Sequence, residues 1–144
     1  QDIREKGYEN HRKNNVSLIF QNYNLIDYMT PLENLKIVNP KADKTILNEL
    51  GLKDDEIKRN VLKLSGGQQQ RVAIVRALAT NHDIIIADES TGNLDEETTQ
   101  DIVNIFKDIA RQQNKTVIIV THETAVAKET DVVFELKKKH FTQL

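Results

Sequence analysis

Two apolar runs constrain the fold of this chain more than any other feature. Residues 84–87 read Ile-Ile-Ile-Ala without a polar interruption, and residues 116–120 read Thr-Val-Ile-Ile-Val. Continuous runs of this kind are typical of strands in a parallel sheet that is covered on both faces. Residues 16–20, Val-Ser-Leu-Ile-Phe, predict a further short strand that enters a core. The sequence therefore predicts an α/β fold built on a parallel sheet.

Helical patterns occupy the intervals between these strands. Thr30, Pro31 and Glu33 have the spacing of an N-terminal capping box, which predicts a short helix to about Val38. Residues 68–80 are rich in strong helix formers. The remaining predicted elements are short helices over residues 42–50, 54–63 and 125–129, a helix after Asp95, a terminal hairpin over residues 131–142, and a polar surface segment with one or two helical turns over residues 1–15.

Composition narrows the possible classes of protein. At 144 residues, with 38% apolar and 29% charged residues, the chain has the size and balance of one globular domain or part of one. Its 20 Lys and Arg residues against 22 Asp and Glu residues give no electrostatic argument for a nucleic-acid partner. Cysteine is absent, so there is no disulfide framework. No run approaches the roughly 20 apolar residues of a membrane span, so we expect any membrane role to come through a partner.

Residues 64–71, Leu-Ser-Gly-Gly-Gln-Gln-Gln-Arg, carry the strongest functional pattern. Ser65, Gly66 and Gly67 stand directly before a helical pattern. Small residues there let free backbone N–H groups approach an anion, and the positive end of the helix dipole favours negative charge. For a Ser-Gly-Gly triplet alone, a helix cap beside a turn is the better interpretation. The complete eight-residue pattern is far more specific than the triplet.

Polar side chains follow each of the predicted strands. Gln21 follows the first strand, Asp88 and Glu89 follow the second, and His122 follows the third. Ligands of α/β folds usually bind at the carboxyl ends of the strands, so these residues are candidates for one site. Each also has a structural alternative, as a turn residue, a cap or a packed histidine. Adjacent residues of a strand point to opposite sides, so we expect Asp88 and Glu89 to do different jobs.

Taken in this order, the motifs resemble those of the ATP-binding cassette (ABC) ATPases. Residues 64–71 are similar to the family signature, residues 84–89 to an extended Walker B motif, and residues 91–95 to the D-loop. Gln21 is similar to the Q-loop glutamine and His122 to the switch histidine. The resemblance implies a P-loop NTPase-like parallel-sheet core with a small inserted helical subdomain.

The resemblance also implies ATP and Mg²⁺ as cofactors and assigns the site residues. Asp88 and Gln21 would hold Mg²⁺, and Glu89 would polarise the attacking water. Gln21 and His122 would complete the catalytic group. A set of loop residues would contact an ATP that is held mainly by the opposing subunit, namely Ser65, Gly66, Gly67, Gln68 and Asp95.

The same resemblance divides the chain into parts. Residues 16–21 would form the first strand and Q-loop, residues 22–63 a short helical subdomain, and residues 64–144 the signature, Walker B, D-loop and switch segments with the rest of the core. No Gly-x-x-x-x-Gly-Lys-Ser/Thr pattern occurs in the 144 residues, so they contain no Walker A phosphate loop. We therefore expect the C-terminal part of an ABC ATPase subunit, with part of its apolar sheet exposed and no tight ATP binding by residues 1–144 alone.

The partners implied by the resemblance are a transmembrane permease and a second ATPase subunit, in a homodimer or a heterodimer. The location implied is cytoplasmic and peripheral, at the inner face of the cell membrane. Residues 91–95, Thr-Gly-Asn-Leu-Asp, are similar to the lipoprotein-release, macrolide-efflux and peptide-antibiotic branch.

Two other classes of protein compete with this interpretation. A DNA-repair or chromosome-maintenance ATPase needs long coiled-coil heptads, and the interval from Gln21 to Leu64 is too short for them. A non-catalytic interaction module that keeps the docking surface remains open. Such a module would bind a permease without dependence on ATP.

Overall fold

The computed structural model describes Gly7, residues 15–137 and residues 140–144. Helices lie between the successive strands of the parallel sheet, as an α/β fold requires. The elements are β1 (Val16–Phe20), α1 (Pro31–Val38), α2 (Thr45–Glu49), α3 (Asp54–Ile57), a 3₁₀ helix (Val61–Lys63), α4 (Gly66–Ala79), β2 (Ile84–Asp88), α5 (Glu96–Gln112), β3 (Thr116–Val120), α6 (Thr124–Lys128), β4 (Phe134–Lys137) and β5 (His140–Gln143).

A three-stranded parallel sheet in the order β1-β2-β3 lies at the centre of the fold. Phe20 pairs with Asp88, and Asp88 pairs with Val120. This register brings the carboxyl ends of all three strands to one edge of the sheet. The predicted parallel sheet is confirmed, and so is the terminal hairpin, in which β4 and β5 pair antiparallel.

Helices α4 and α5 cover one face of the sheet and form the main core. Alternate strand residues point into this core, as the two-residue period of a strand requires. Ile19 of β1 and Ile85 of β2 are almost fully buried there. The buried helix residues that meet them are Ala73, Ile74, Ala77 and Leu78 of α4 and Ile102, Phe106 and Ile109 of α5.

The opposite face of the sheet carries exposed apolar side chains. Leu18 is 44% exposed, Phe20 41%, Ile118 47% and Val120 48%. The expectation that β3 is buried is therefore wrong within the described residues, because α4 and α5 pack on the other face. The expectation that part of the apolar sheet is exposed is confirmed.

A second core joins the short helices to α4. Leu35 of α1, Leu47 of α2 and Ile57 of α3 pack with Val72 and Val75, which lie on α4. Helix α4 therefore has two buried faces, one on the sheet and one on the short helices. Helix α4 thus connects the short helices to the sheet, and Ile46 of α2 also packs against the main core.

Capping patterns and other local signals in the sequence predicted most of these helices. The capping box of Thr30 and Glu33 is present, and α1 runs to Val38 as predicted. The helix predicted over residues 42–50 is shorter, and the one predicted over residues 54–63 is divided into α3 and the 3₁₀ helix. The helical turns predicted for residues 1–15 fall outside the described residues, apart from Gly7 and residue 15. Along the described part of the chain, no helix has the length and apolarity needed to cross a membrane.

Candidate functional site

The carboxyl edge of the sheet brings together the polar residues that follow the strands. Gln21 and Asp88 line one cavity of about 370 Å³, together with Phe20, Asn22 and Asn24. Asp88 is the last residue of β2 and is exposed. The side chain of Gln21 also approaches the loop after β2, since a Cβ built on Gly92 would lie 3.3 Å from Gln21 Nε2.

Glu89 and His122 form an ion pair beside this cavity edge. His122 Nδ1 lies 2.9 Å from Glu89 Oε1. An ionised carboxylate can only accept, so Nδ1 carries the proton and donates it. Glu89 has a φ of 45°, and its backbone N–H donates to the carbonyl of Val120 at 2.8 Å. Glu89 therefore lies in a left-handed turn and not on the strand, so strand alternation does not set its direction.

The pKa of His122 is raised above its ordinary value of 6.5. The hydrogen bond to Glu89 is the largest cause, the negative charge of Glu89 adds to it, and that of Glu123 contributes less. Both effects favour the imidazolium form. The side chain of His122 is 71% exposed, so this charge faces solvent at the sheet edge.

A second contact joins the same two loops. The buried hydroxyl of Thr91 donates to Glu123 Oε1 at 3.1 Å, and the backbone N–H of Glu123 donates to Thr121 Oγ1 at 3.0 Å. The loops after β2 and β3 are thus tied at Glu89–His122 and at Thr91–Glu123. Neighbouring Ser90 is also buried, and its hydroxyl has no hydrogen-bond partner among the described residues.

Ser65 and Gln68 form a capping box at the start of α4. The backbone N–H of Gln68 donates to Ser65 Oγ at 3.2 Å, and that of Ser65 donates to Gln68 Oε1 at 2.9 Å. Gln68 Nε2 also donates to Glu56 Oε1 at 2.7 Å. The structural alternative for Ser65 as a helix cap is therefore observed. It is compatible with a second role, because a cap leaves other N–H groups of the first turn free to bind.

Asp95 caps α5 in the same way. Its carboxylate accepts from the backbone N–H of Thr98 at 2.8 Å and from the Thr98 hydroxyl at 3.0 Å. These hydrogen bonds lower the pKa of Asp95. The starts of α4 and α5 are in close contact, since a Cβ built on Gly67 would lie 2.5 Å from Thr98 Cγ2. Only glycine fits at this approach.

The predicted site residues thus fall into two groups. Gln21, Asp88, Glu89 and His122 form the edge group at the carboxyl ends of the strands. Ser65, Gly66, Gly67, Gln68 and Asp95 form the loop group at the starts of α4 and α5. Tyr23 lies between them, since its hydroxyl oxygen would be 3.0 Å from a Cβ on Gly66.

Sequence reasoning did not single out three residues with long-range contacts. Tyr23 approaches Gly66, Thr91 bonds Glu123, and Arg76 donates to the carbonyls of Tyr23 and Asn24. Nothing in their local sequence signals these contacts, because each partner lies far away along the chain.

The edge group suits Mg²⁺ in its donor atoms. Magnesium prefers oxygen ligands and keeps several water molecules, so one or two protein ligands are enough. Asp88 offers a carboxylate and Gln21 an amide oxygen at the same cavity. No cluster of three or more His, Cys, Asp and Glu side chains that could hold a metal occurs among the described residues, so a metal cage made only of such side chains is not present there.

A parallel sheet with an acidic edge, and glycine-rich helix starts beside it, define a class of nucleotide-binding α/β proteins. The profile of the family described as ABC transporter matches residues 1–92. The chain therefore belongs to the ABC transporter family of ATP-binding proteins.

Two relatives illustrate the match. The uncharacterized ABC transporter ATP-binding protein YclH of Bacillus subtilis (strain 168) is 42% identical over 146 residues, which cover 94% of this chain and 65% of YclH. The lipoprotein-releasing system ATP-binding protein LolD of Rickettsia prowazekii (strain Madrid E) is 40% identical over 94% of this chain and 66% of LolD. The chain spans about two thirds of the length of these relatives.

Solved structures agree with the fold. The ATP-binding cassette MJ0796, solved as a dimer in a post-hydrolysis state bound to ADP and Pi, matches with a TM-score of 0.76 and 32% identity. The match covers 99% of this chain and 68% of that one. The P-loop NTPase-like fold predicted from the sequence is confirmed by this likeness.

Proposed function

We propose that this chain supplies the hydrolytic edge of an ABC ATPase that acts on Mg²⁺-bound ATP. The observation that supports the proposal most is the distance of 2.9 Å between Glu89 Oε1 and His122 Nδ1. Glu89 lies in the loop after β2 and His122 in the loop after β3. A carboxylate and an imidazolium side by side offer a proton acceptor and a positive charge at one place. Both can assist the attack of water on a phosphate.

Each residue of the edge group has a separate role in this proposal. Asp88 and Gln21 hold Mg²⁺, which when bound offsets the negative charge of the phosphate oxygens. Glu89 uses one carboxylate oxygen for His122 and has the other to orient water and accept its proton. The raised pKa of His122 favours the positively charged ring, which in this proposal faces the γ-phosphate end of the nucleotide.

The loop group serves a neighbouring subunit in the proposed assembly. Ser65, Gly66, Gly67 and Gln68, with Asp95, contact the ATP of that subunit, in a homodimer or a heterodimer. Two observations support this role: the caps hold both loops in shape, and the close contact between Gly67 and Thr98 makes them one surface. MJ0796 was solved as a dimer, which is the arrangement that the proposal needs.

The remaining partner in the proposal is a transmembrane permease. Helices α1 to α3 and the segment from Gln21 would contact it from the cytoplasmic side, which places the protein at the inner face of the cell membrane. Support comes from the second core, which ties these helices to α4. The relative LolD is named as part of a lipoprotein-releasing system. No nucleic-acid partner is proposed.

The hydrolytic role is tested with Glu89→Gln. Because the 144 residues lack a Walker A loop, they are fused behind a segment of an ABC ATP-binding protein that contains one, and ATPase activity and ATP binding are measured. Glu89→Gln should lower hydrolysis at least about a hundredfold, the lower range for a positioned general base, while binding persists. Glu49→Gln, an exposed carboxylate on α2, is the matched control and should leave hydrolysis unchanged. Near-normal turnover in Glu89→Gln would remove this residue from the role.

The permease role needs a separate measurement. Substitutions at exposed positions of α1 to α3, such as Lys36→Ala and Glu49→Ala, should lower transport in reconstituted membranes more than they lower basal ATPase activity. Equal losses of both activities would place these helices in the catalytic core. Permease binding that is independent of ATP, together with an inactive fusion protein, would favour the non-catalytic interaction module instead.

A further inference from the structure

The segment after Gln21 has an unusual backbone that α4 holds in place. Tyr23 and Asn24 have φ values of 57° and 50°, in the left-handed region that residues other than glycine seldom occupy. Two such residues in succession persist only where the surroundings impose them. The Tyr23 N–H closes a turn onto the carbonyl of Phe20 at 3.0 Å, so the turn encloses Gln21 itself.

Arg76 is the side chain that imposes this turn. Its guanidinium donates to the carbonyl of Asn24 at 2.7 Å and to that of Tyr23 at 3.2 Å. Arg76 is partly buried, and burial lowers the pKa of its guanidinium. Hydrogen bonds from a charged donor contribute more than neutral ones, because the carbonyls replace the water that the charge has lost. The turn after Gln21 is therefore attached to the last turn of α4.

The same turn also touches the start of α4. The Tyr23 ring packs against the main core, and its hydroxyl oxygen would lie 3.0 Å from a Cβ on Gly66. At the other end of the turn, the Gln21 amide reaches Gly92 in the loop after β2. A continuous path of contacts thus runs from Gly66, through Tyr23, to Gln21 and the acidic edge.

We propose that Tyr23 and Arg76 are positioning residues that transmit the position of the loop at Ser65 and Gly66 to the side chain of Gln21. This inference rests on the proposed function. In that function Gly66 contacts the nucleotide of the neighbouring subunit, and Gln21 helps to hold the Mg²⁺ of its own subunit. Closure of one site then adjusts the other through Tyr23. Neither residue touches the reacting atoms.

The test uses the 144-residue chain and requires no nucleotide. The ¹⁵N side-chain amide signals of Gln21, assigned by their loss in Gln21→Glu, report on its position. Gly66→Ala should shift these signals, because its new methyl group would lie 3.0 Å from Tyr23 Oη, with Leu94 Cδ2 as the other near atom at 3.2 Å. The Tyr23→Phe variant lacks this oxygen. In that variant the shift of the Gln21 signals caused by Gly66→Ala should fall to about half or less. Such non-additivity is expected of residues in contact.

Gly67→Ala is the matched control for this cycle. Its methyl group meets Thr98 and not Tyr23, so it should shift signals at the start of α5 and leave Gln21 in place. An unchanged Gln21 in Gly66→Ala would overturn the proposal. A shift of the same size with and without the Tyr23 hydroxyl would overturn it as well.

A second measurement tests Arg76 if Gly66→Ala fails to fold. Arg76→Met should speed hydrogen exchange at the Tyr23 amide about tenfold or more and move the Gln21 signals, because the lost bonds are charge-assisted. Arg76→Lys should restore part of the effect. Arg71→Met, on the same helix but paired with Asp101 at 3.3 Å, is the control. Equal exchange at Tyr23 in Arg76→Met and the parent chain would contradict the role of Arg76. These results do not depend on ATPase activity, so the proposed function can fail while this inference stands.

Discussion

The edge group and the loop group are both polar, but they are held in opposite ways. In the loop group, Ser65 bonds Gln68 and Asp95 bonds Thr98, each three residues along the chain. In the edge group, His122 meets Glu89 across two separate strands. One group is held by local hydrogen bonds, and the other by the register of the sheet.

This difference determines what each group can do before a ligand arrives. Local caps form with the helix that they start, so the loop group presents its N–H groups in a fixed shape. The edge group depends on tertiary structure, and its charges respond to pH and to each other. Three measurements test how far the two groups are independent.

The largest effect on stability is expected where the two capped helices touch. Gly67→Ala places a methyl group 2.5 Å from Thr98 Cγ2, and such overpacking typically destabilises a protein by about 1–3 kcal/mol. Thr98→Ser removes that methyl group and keeps the hydroxyl that bonds Asp95. The double variant should therefore recover most of the loss in urea unfolding. If Thr98→Ser gives no recovery, the contact between the helix starts is not what requires glycine.

A smaller effect is expected when the cap of α5 is removed. Asp95→Ala should lower the free energy of unfolding by less than Gly67→Ala does, since it leaves only the Thr98 N–H without its side-chain acceptor. Asp95→Asn keeps a side-chain oxygen and should retain most of the stability. Equal losses in the two variants would show that the charge at the helix dipole matters more than the hydrogen bond.

The smallest effect concerns the edge group and its pH dependence. NMR titration of His122 should give a pKa above 6.5, and Glu89→Gln should lower it more than Glu123→Gln does. Because the folded-state pKa is raised, the contribution of this ion pair to stability is fully present below pH 6.5 and is lost as the pH rises through the folded-state value. Asp95→Ala should leave the titration unchanged. A shift in that variant would show that the cap of α5 is coupled to the Glu89–His122 pair.

The sequence predicted what local rules determine. The caps at Thr30, Ser65 and Asp95 depend on residues three positions apart, so the order of the amino acids is enough to recognise them. The meeting of Asp88 and Gln21 at one cavity follows from a general property of parallel sheets. Both kinds of inference need no knowledge of distant contacts.

The sequence did not predict features that depend on distant contacts. Tyr23, Asn24 and Glu89 adopt positive φ although none of them is glycine, and for Tyr23 and Asn24 the visible anchor is Arg76 on another element. The exposure of Ile118 likewise depends on which elements cover the sheet. An apolar run gives the same pattern whether one face or both faces are covered.

The pairing of β1 with β2 has a consequence for how the protein acquires its shape. Val16 pairs with Ile84, so all of α1 to α4 lies between two neighbouring strands. Bringing β1 and β2 together closes a long loop, and this costs chain entropy before any contact between the strands compensates for it. Sheets whose paired strands lie far apart in the sequence therefore form slowly. We expect the helical segment to collapse first around Leu35 and Val72, and β1 to join last. The acidic edge would then be the final part of the molecule to assemble during refolding.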